Sequence, residues 1–242
     1  CLPVVAIYST FLQRAYDQLI HDTALQGLHV IFALDRGGIV GEDGETHQGI
    51  FDLSYLRHIP GMTVMVPRDQ NELVAMLKSA VNYSGPVAIR YPRGAGPLLE
   101  VDYQQQEIPL GQGELLREGS DMVILAVGPL VYQALEAAEQ LSSCGIDVAV
   151  INCRFVKPLD ERLILEWANR TKRVITLEEN VLAGGFGSAV LEMLSSHSFV
   201  GEVARIGIPD CFVEHGAADI LRRNLGLDAA GIVNFIKEKG WL

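Results

Sequence analysis

The residues of this chain that are best suited to chemistry lie in one glycine-rich segment, residues 35–49. Five glycines there surround Arg36, Asp43 and His47. Glycine permits left-handed turns and lets the backbone approach a ligand closely. The segment therefore offers a cation that can pair with a phosphate, a carboxylate that can accept hydrogen bonds, and an imidazole that titrates near neutral pH.

Two interpretations of this segment stay open on its residues alone. It follows an apolar run, His29 to Leu34, and loops that leave the carboxyl ends of strands are where α/β sheets usually bind ligands. A long solvated surface loop has the same composition, and a lone histidine such as His47 is more often structural. The acidic residues Glu42, Asp43 and Glu45 match no calcium-loop template, so we expect no metal site here.

An arginine stands at or soon after the carboxyl end of each of four predicted strands in the first half: Arg14, Arg36, Arg68 and Arg93. In a parallel sheet these ends lie on one side, so the guanidinium groups can converge. In a chain of net charge −11, such a cluster predicts an anion site, most simply for a phosphorylated small molecule. Solvated surface arginines are the alternative. We favour it for Arg68, which has Asp69 as a neighbour, and leave both interpretations open for Arg36 and Arg93.

The elements that must position these residues alternate between strand and helix patterns. Predicted strands cover Val4–Tyr8, His29–Leu34, Met62–Val66 and Pro86–Tyr91. One helix follows the first strand with Thr10 as its N-cap. A second helix begins after Asp69, and Glu72 completes a capping-box pattern there. This alternation predicts a parallel sheet with helices on its faces.

From Gly94 to Gly113 the periodicity lapses, which indicates an interdomain connection. Alternation then resumes, with strands predicted at Met122–Ala126, Val148–Asn152, Val174–Leu177 and near Val203–Ile206, and helices at Leu130–Ser143, at Asp160–Asn169, from Gly187 and from Ala217. We therefore predict two consecutive three-layer α/β domains with mostly parallel sheets. They cover residues 1–96 and 114–242, and residues 97–113 link them.

The turn Gly184-Gly185-Phe186-Gly187 follows a strand and opens a helix, as a dinucleotide-binding turn does. Val190 occupies the place of the third glycine, so that fingerprint fails. Close packing of the helix on the sheet is the better interpretation.

Composition excludes several classes of function. The chain has 242 residues, of which 49% are hydrophobic and 20% charged, as in a globular protein with a sizeable core. The net charge of −11 disfavours binding to nucleic acid or to an anionic membrane. Cys1, Cys144, Cys153 and Cys211 lack metal-ligand or redox spacing, which favours reduced thiols in a cytoplasmic protein.

The chain begins with Cys1 and enters a buried-strand pattern within three residues. A domain rarely opens so abruptly. We therefore expect these residues to be the C-terminal part of a longer protein.

Taken together, the motifs resemble those of 1-deoxy-D-xylulose-5-phosphate synthase over essentially the whole chain. The motifs are Tyr8–Gln18, the glycine-rich segment, Arg90-Tyr91-Pro92-Arg93-Gly94, Phe155–Asp160 and Leu177-Glu178-Glu179-Asn180. Parts of the glycine-rich segment also resemble transketolase, and the last two motifs resemble the β subunits of 2-oxo acid dehydrogenases. The resemblance implies part of a pyrimidine-binding domain followed by a transketolase C-terminal-like domain. It implies an enzyme that uses thiamine diphosphate to join pyruvate and glyceraldehyde 3-phosphate with loss of CO₂. The product of this reaction is a precursor for the biosynthesis of isoprenoids and thiamine.

The resemblance also implies roles for individual residues. Phe11 would stack on the aminopyrimidine ring of the cofactor. Asp43 and His47 would contact the hydroxyl and aldehyde groups of the acceptor. Its phosphate would be held by four residues: Tyr8, Arg14, Arg36 and Arg93.

The family's diphosphate-binding domain, which holds Mg²⁺, and its activating glutamate have no counterpart in this sequence. We therefore expect the 242 residues alone to be inactive and to bind the cofactor poorly. We expect homodimers. Two alternatives stay open: a β-type subunit of another thiamine diphosphate enzyme, and a non-catalytic dimerising or ligand-sensing module.

Overall fold

A computed structural model describes residues 1–97, 99–102 and 104–242, and its first half is built on a five-stranded sheet in the order β1-β2-β4-β3-β8. The strands are β1 (Val4–Tyr8), β2 (Ile31–Asp35), β3 (Thr63–Met65), β4 (Val87–Arg90) and β8 (Phe155–Lys157). The first four strands run parallel, whereas β8 pairs antiparallel with β3. The sequence did not predict β8, which comes from the second half of the chain.

Helices connect these parallel strands. They are α1 (Ser9–Leu12), α2 (Tyr16–Gln18), α3 (Asp52–Arg57) and α4 (Gln70–Asn82), with a 3₁₀ turn at Gln13–Ala15, a π-helical stretch at Leu19–Ala24 and a second 3₁₀ turn at Glu45–His47. The predicted cap of α4 is confirmed, because the Asp69 side chain accepts from Glu72 N at 2.9 Å. Glu72 in turn accepts from Arg68 N at 2.7 Å. The prediction for Thr10 is wrong: helix α1 begins at Ser9 with Tyr8 as its N-cap, and the Thr10 hydroxyl donates to Thr46 O at 2.8 Å.

The second half is built on another five-stranded sheet, in the order β10-β9-β6-β7-β5. Its strands are β5 (Glu114–Arg117), β6 (Met122–Ala126), β7 (Val148–Asn152), β9 (Arg173–Val181) and β10 (Glu202–Ile208). Only β5, which the sequence did not predict, pairs antiparallel. The helices are α5 (Leu130–Ser142), α6 (Glu161–Thr171), α7 (Phe186–Ser196), α8 (Ala218–Asn224) and α9 (Ala229–Glu238). The predicted class, consecutive α/β units with mostly parallel sheets, is confirmed.

Strand β1 forms where predicted, but its pattern was wrongly interpreted as that of a buried strand. It is an edge strand that pairs with β2. Val4 is 58% exposed and Val5 37% exposed. A strand that packs on one side only can be apolar without being covered.

Between β4 and β5 the described residues form neither helix nor strand, as expected for the predicted linker 97–113. Leu98 and Tyr103 of that linker lie outside the described residues. Gln70 Nε2 donates to Pro97 O at 2.9 Å and to Leu99 O at 3.1 Å. These hydrogen bonds connect the beginning of the linker to helix α4. The domain boundaries themselves stay a prediction.

Within the described ranges, no helix is both long and apolar enough to cross a membrane.

Candidate active site

The glycine-rich segment forms a loop whose two ends are pinned together. Gly38 N donates to Gly49 O at 2.7 Å, and Gly49 N donates to Gly38 O at 2.8 Å. Gly38 has φ of +84°, which glycine adopts without strain. A Cβ at Gly49 would lie 2.1 Å from Arg36 O, so only glycine fits this crossing. The closed ends make residues 39–48 a loop at the carboxyl edge of the first sheet.

Two of the strand-end arginines meet at one carboxylate on this loop. Arg93 Nη1 donates to Asp43 Oδ1 at 3.0 Å, and Arg36 Nε lies 3.8 Å from Asp43 Oδ2. Arg36 also forms an ion pair with its neighbour Asp35. Two aspartates thus balance two guanidinium charges, and an incoming anion must compete with Asp43 for them. Arg36 Nε is buried and has no hydrogen-bond partner among the described residues.

Aromatic contacts extend this cluster to the remaining predicted residues. The Arg36 guanidinium lies 3.8 Å from the centre of the Tyr8 ring, within cation–π range. Tyr8 stacks on Phe11 with 5.3 Å between ring centres and 11° between planes. The Phe11 ring meets His47 edge-on at 5.5 Å. An unbroken set of contacts therefore joins six predicted residues: Tyr8, Phe11, Arg36, Asp43, His47 and Arg93.

The other two arginines stand apart from this cluster. Arg14 is exposed on the 3₁₀ turn after α1 and forms no hydrogen bond or ion pair with the cluster among the described residues. Arg68 pairs with Asp69 at 3.2 Å, as expected from the sequence, and with Glu114 at 2.9 Å. Arg68 therefore links the two halves of the chain. The role of Arg14 in binding the acceptor phosphate stays a prediction.

A buried network beneath the loop was not predicted. Arg90, the last residue of β4, is 2% exposed and donates to Asp52 at 3.1 Å, to Gly49 O at 3.0 Å and to Glu179 O at 2.7 Å. Asp52 also accepts from the Ser9 hydroxyl at 2.8 Å, next to Tyr8. This network ties one end of the loop to β1 and to the second sheet. In the sequence this network is visible only as Arg90 at the end of a predicted strand, and that position does not show that the side chain is buried.

The turn before α7 packs closely on the sheet, as predicted. A Cβ at Gly187 would lie 2.5 Å from Thr176 Oγ1. The carboxylate of Glu178 accepts from Phe186 N at 2.7 Å and from Gly187 N at 2.8 Å. Burial raises the pKa of Glu178 to about 7, against the lowering effect of these two donors. The Glu178 carboxylate thus occupies the N-terminus of helix α7.

In the part of the chain that the structure describes, no group of three or more His, Cys, Asp or Glu residues could hold a metal ion. The site is therefore a cluster of cationic and aromatic side chains. It can bind an anionic ligand through Arg36 and Arg93 and stack a flat ring against Phe11, which is 49% exposed.

Comparison with known proteins finds two family models in succession. Residues 1–97 match the transketolase pyrimidine binding domain, and residues 111–232, half of the chain, match the transketolase C-terminal domain. Among curated relatives, "1-deoxy-D-xylulose-5-phosphate synthase 1" of Geobacter sulfurreducens is 62% identical over 231 residues, which are 95% of this chain and 36% of that protein. "1-deoxy-D-xylulose-5-phosphate synthase" of Heliobacterium modesticaldum is 55% identical over 98% of this chain and 36% of its own length.

A solved structure named "Split gene transketolase, inactive beta4 tetramer" shares the fold. It superimposes with a TM-score of 0.89 at 33% sequence identity, over 98% of this chain and 76% of that one. The chain thus spans about a third of the curated relatives above and three quarters of this neighbour.

Proposed function

Because the chain belongs to the transketolase family, we propose that it forms the acceptor-binding part of a 1-deoxy-D-xylulose-5-phosphate synthase. The proposed reaction joins pyruvate and glyceraldehyde 3-phosphate with loss of CO₂, with thiamine diphosphate as cofactor. The observation that supports this most directly is the contact-linked cluster at the loop. In it, Arg36 and Arg93 share Asp43, and the rings of Tyr8 and Phe11 connect Arg36 to His47.

Each member of the cluster has a proposed task. Arg36 and Arg93 bind the acceptor phosphate, and Arg14 and Tyr8 complete that phosphate site. Asp43 and His47 lie on the same loop, where they can contact the hydroxyl and aldehyde groups of the acceptor. Hydrogen bonds to an oxygen that becomes negative during the reaction lower its barrier, and His47 is the proposed donor.

The chain fits part of the cofactor. The exposed face of Phe11, stiffened by Tyr8 and His47, suits a flat aminopyrimidine ring. Thiamine diphosphate supplies the carbon chemistry that decarboxylates pyruvate. Its diphosphate and Mg²⁺ are proposed to bind in the part of the relatives that lies outside the match, since the described residues offer no metal cluster.

A β-type subunit is the second candidate, and one observation favours it. The structural neighbour is named as a split-gene transketolase whose β tetramer is inactive. On this reading the chain works only when a separate subunit joins it. Co-purification with such a subunit, and activity that appears on mixing, would distinguish this candidate from the first.

We propose a homodimer in the cytoplasm. Val4 and Val5 are exposed apolar residues on edge strand β1, which a second copy could cover. All four cysteines are free thiols, as suits a reducing compartment. Light scattering on the purified protein measures the oligomeric state.

A thermal-shift assay tests the phosphate site. Glyceraldehyde 3-phosphate at about 100 times its dissociation constant adds about 2.7 kcal/mol to stability, which raises Tm by roughly 5–10 °C in a domain pair of this size. We expect this rise to vanish in Arg36→Ala and Arg93→Ala. Arg68→Ala is the matched control and should keep the rise, because Arg68 pairs with Asp69 and Glu114 and not with Asp43.

The outcomes separate the candidates. Indifference of the unaltered chain to every phosphate would favour the non-catalytic module. Equal loss of the shift in all three variants would show that the effect is not specific to the cluster. Steady turnover of both substrates by these 242 residues alone would refute the expectation that they are inactive by themselves.

A further inference from the structure

The loop of the first half is embedded in the core of the second half. Ile39 and Ile50, at the two ends of the loop, are each 1% exposed. Both belong to the hydrophobic cluster built on the second sheet, together with residues such as Leu177 and Ile208. The position of Asp43 and His47 is therefore set by packing outside their own sheet.

The ion pair between Glu179 and Arg222, in the second half, also forms hydrogen bonds with the loop backbone. Glu179 Oε1 accepts from Ile39 N at 3.2 Å and from Arg222 Nε at 2.7 Å. Arg222 Nη2 donates to Ile39 O at 3.4 Å. The Glu179 side chain is 3% exposed and is paired with Arg222. The pair thus binds both backbone polar groups of Ile39.

The rest of the loop is held from the same side. Buried Gln48 accepts from Val40 N at 2.8 Å and donates to Glu214 O at 3.1 Å. A Cβ at Gly41 would lie 2.9 Å from Gly216 O, so backbone of the second half touches the loop there as well. Segment 214–222 therefore acts as a clamp around residues 39–48.

We propose that Glu179 and Arg222 are positioning residues, which hold the loop so that Asp43 and His47 meet the acceptor aldehyde correctly. This rests on the proposed function. Arg222 forms no described hydrogen bond or ion pair with Asp43 or His47, so it acts through the backbone of Ile39. Misplacing a reacting group by 1 Å through a distant change lowers rates by up to about a hundredfold.

The kinetic test uses the complete polypeptide that contains this chain. Arg222→Met keeps the aliphatic length but removes both contacts. We expect kcat/KM for glyceraldehyde 3-phosphate to fall at least about tenfold, while KM for pyruvate changes less than about twofold. Arg223→Met is the matched control on the same helix. Its side chain is 68% exposed, lies 3.8 Å from Asp228 and forms no described hydrogen bond or ion pair with residues 39–48, so we expect unchanged kinetics.

A second variant covers the case in which Arg222→Met fails to fold. The double variant Glu179→Gln/Arg222→Met leaves no unpaired buried charge, yet Ile39 O still loses its donor. It should show the same selective loss of acceptor kinetics. Acceptor kinetics within about twofold of the unaltered protein, in whichever of these variants folds, would overturn the proposal.

Amide hydrogen exchange tests the clamp without any activity. In Arg222→Met, exchange at Ile39 and Val40 should accelerate at least about tenfold, while Ile206 in β10 stays protected. Equal acceleration at Ile206 would mean that the variant is destabilised throughout. No acceleration at Ile39 would mean that Arg222 does not hold the backbone of Ile39. Either result overturns the proposal. If the unaltered protein lacks synthase activity, the proposed function fails, and exchange still decides whether the pair holds the loop.

Discussion

Replacing Arg90 by methionine should destabilise the fold far more than replacing an arginine in an exposed ion pair. Arg90 is 2% exposed, and its partner Asp52 is fully buried. Methionine fills similar space but donates no hydrogen bond. The change therefore leaves the Asp52 charge without its cation and the Glu179 carbonyl without its 2.7 Å donor.

The remaining contacts set the size of the effect. Breaking a buried ion pair costs about 3–5 kcal/mol. Asp52 keeps two donors, the Ser9 hydroxyl at 2.8 Å and Leu53 N at 2.9 Å, so the lower end of that range applies. The unpaired Glu179 carbonyl adds about 1 kcal/mol. We expect a loss of about 4 kcal/mol in the free energy of unfolding.

Urea denaturation followed by circular dichroism measures this loss. With an m-value of about 3 kcal/mol/M, the midpoint should fall by roughly 1–1.5 M. Arg162→Met is the control, because Arg162 pairs with Glu166, both side chains are exposed, and such pairs contribute about 0–1 kcal/mol. Adding Asp52→Asn to Arg90→Met removes the unpaired charge and should restore about 1–2 kcal/mol. A midpoint for Arg90→Met that equals that of Arg162→Met would refute the reasoning.

Two further predictions concern buried groups near the site. Burial raises the pKa of Glu178 from its ordinary value of 4.5 to about 7, so between these values the folded chain binds more protons than the unfolded chain. Stability should therefore fall as pH rises from about 4.5 to 7, and Glu178→Gln should flatten that slope in urea titrations; an equally steep slope in the variant would contradict this assignment. In Gly49→Ala, the new Cβ would meet Arg36 O at 2.1 Å and the Ser9 side chain at 2.8 Å, so the ends of the loop must separate. Its Tm should fall further than that of Gly27→Ala, where φ is +63°, nothing lies within 4 Å, and about 1–2 kcal/mol of backbone strain is the expected cost. Equal Tm values for the two variants would exclude the steric argument.

Much of the local structure could be predicted because its causes are local. The predicted Asp69 cap of α4 depends on a backbone N–H three residues away. Strand positions follow from short apolar runs, and the arginines after them reach one edge because parallel strands share a direction. Even so, Thr10 was wrongly taken as a cap, because its hydroxyl binds Thr46, 36 residues away.

Membership of a sheet and burial could not be predicted locally. Strand β8 lies 90 residues beyond its partner β3 and belongs to a different half of the chain. Nothing in the residues around Arg90 separates it from Arg93, yet one is buried in a network and the other faces the site. The exposure of Val4 likewise depends on what lies beside β1, not on its own apolar pattern.

The sequence by itself determined most of the strands and helices, the glycine-rich loop and the set of side chains that stand at strand ends, since each depends on residues a few positions apart. Only the tertiary structure decided that Asp43 lies between Arg36 and Arg93 and that Glu179 and Arg222 fix Ile39 from 140 and 183 residues away. Contacts over such separations come from the packing of two sheets against one loop, and no local pattern records that packing.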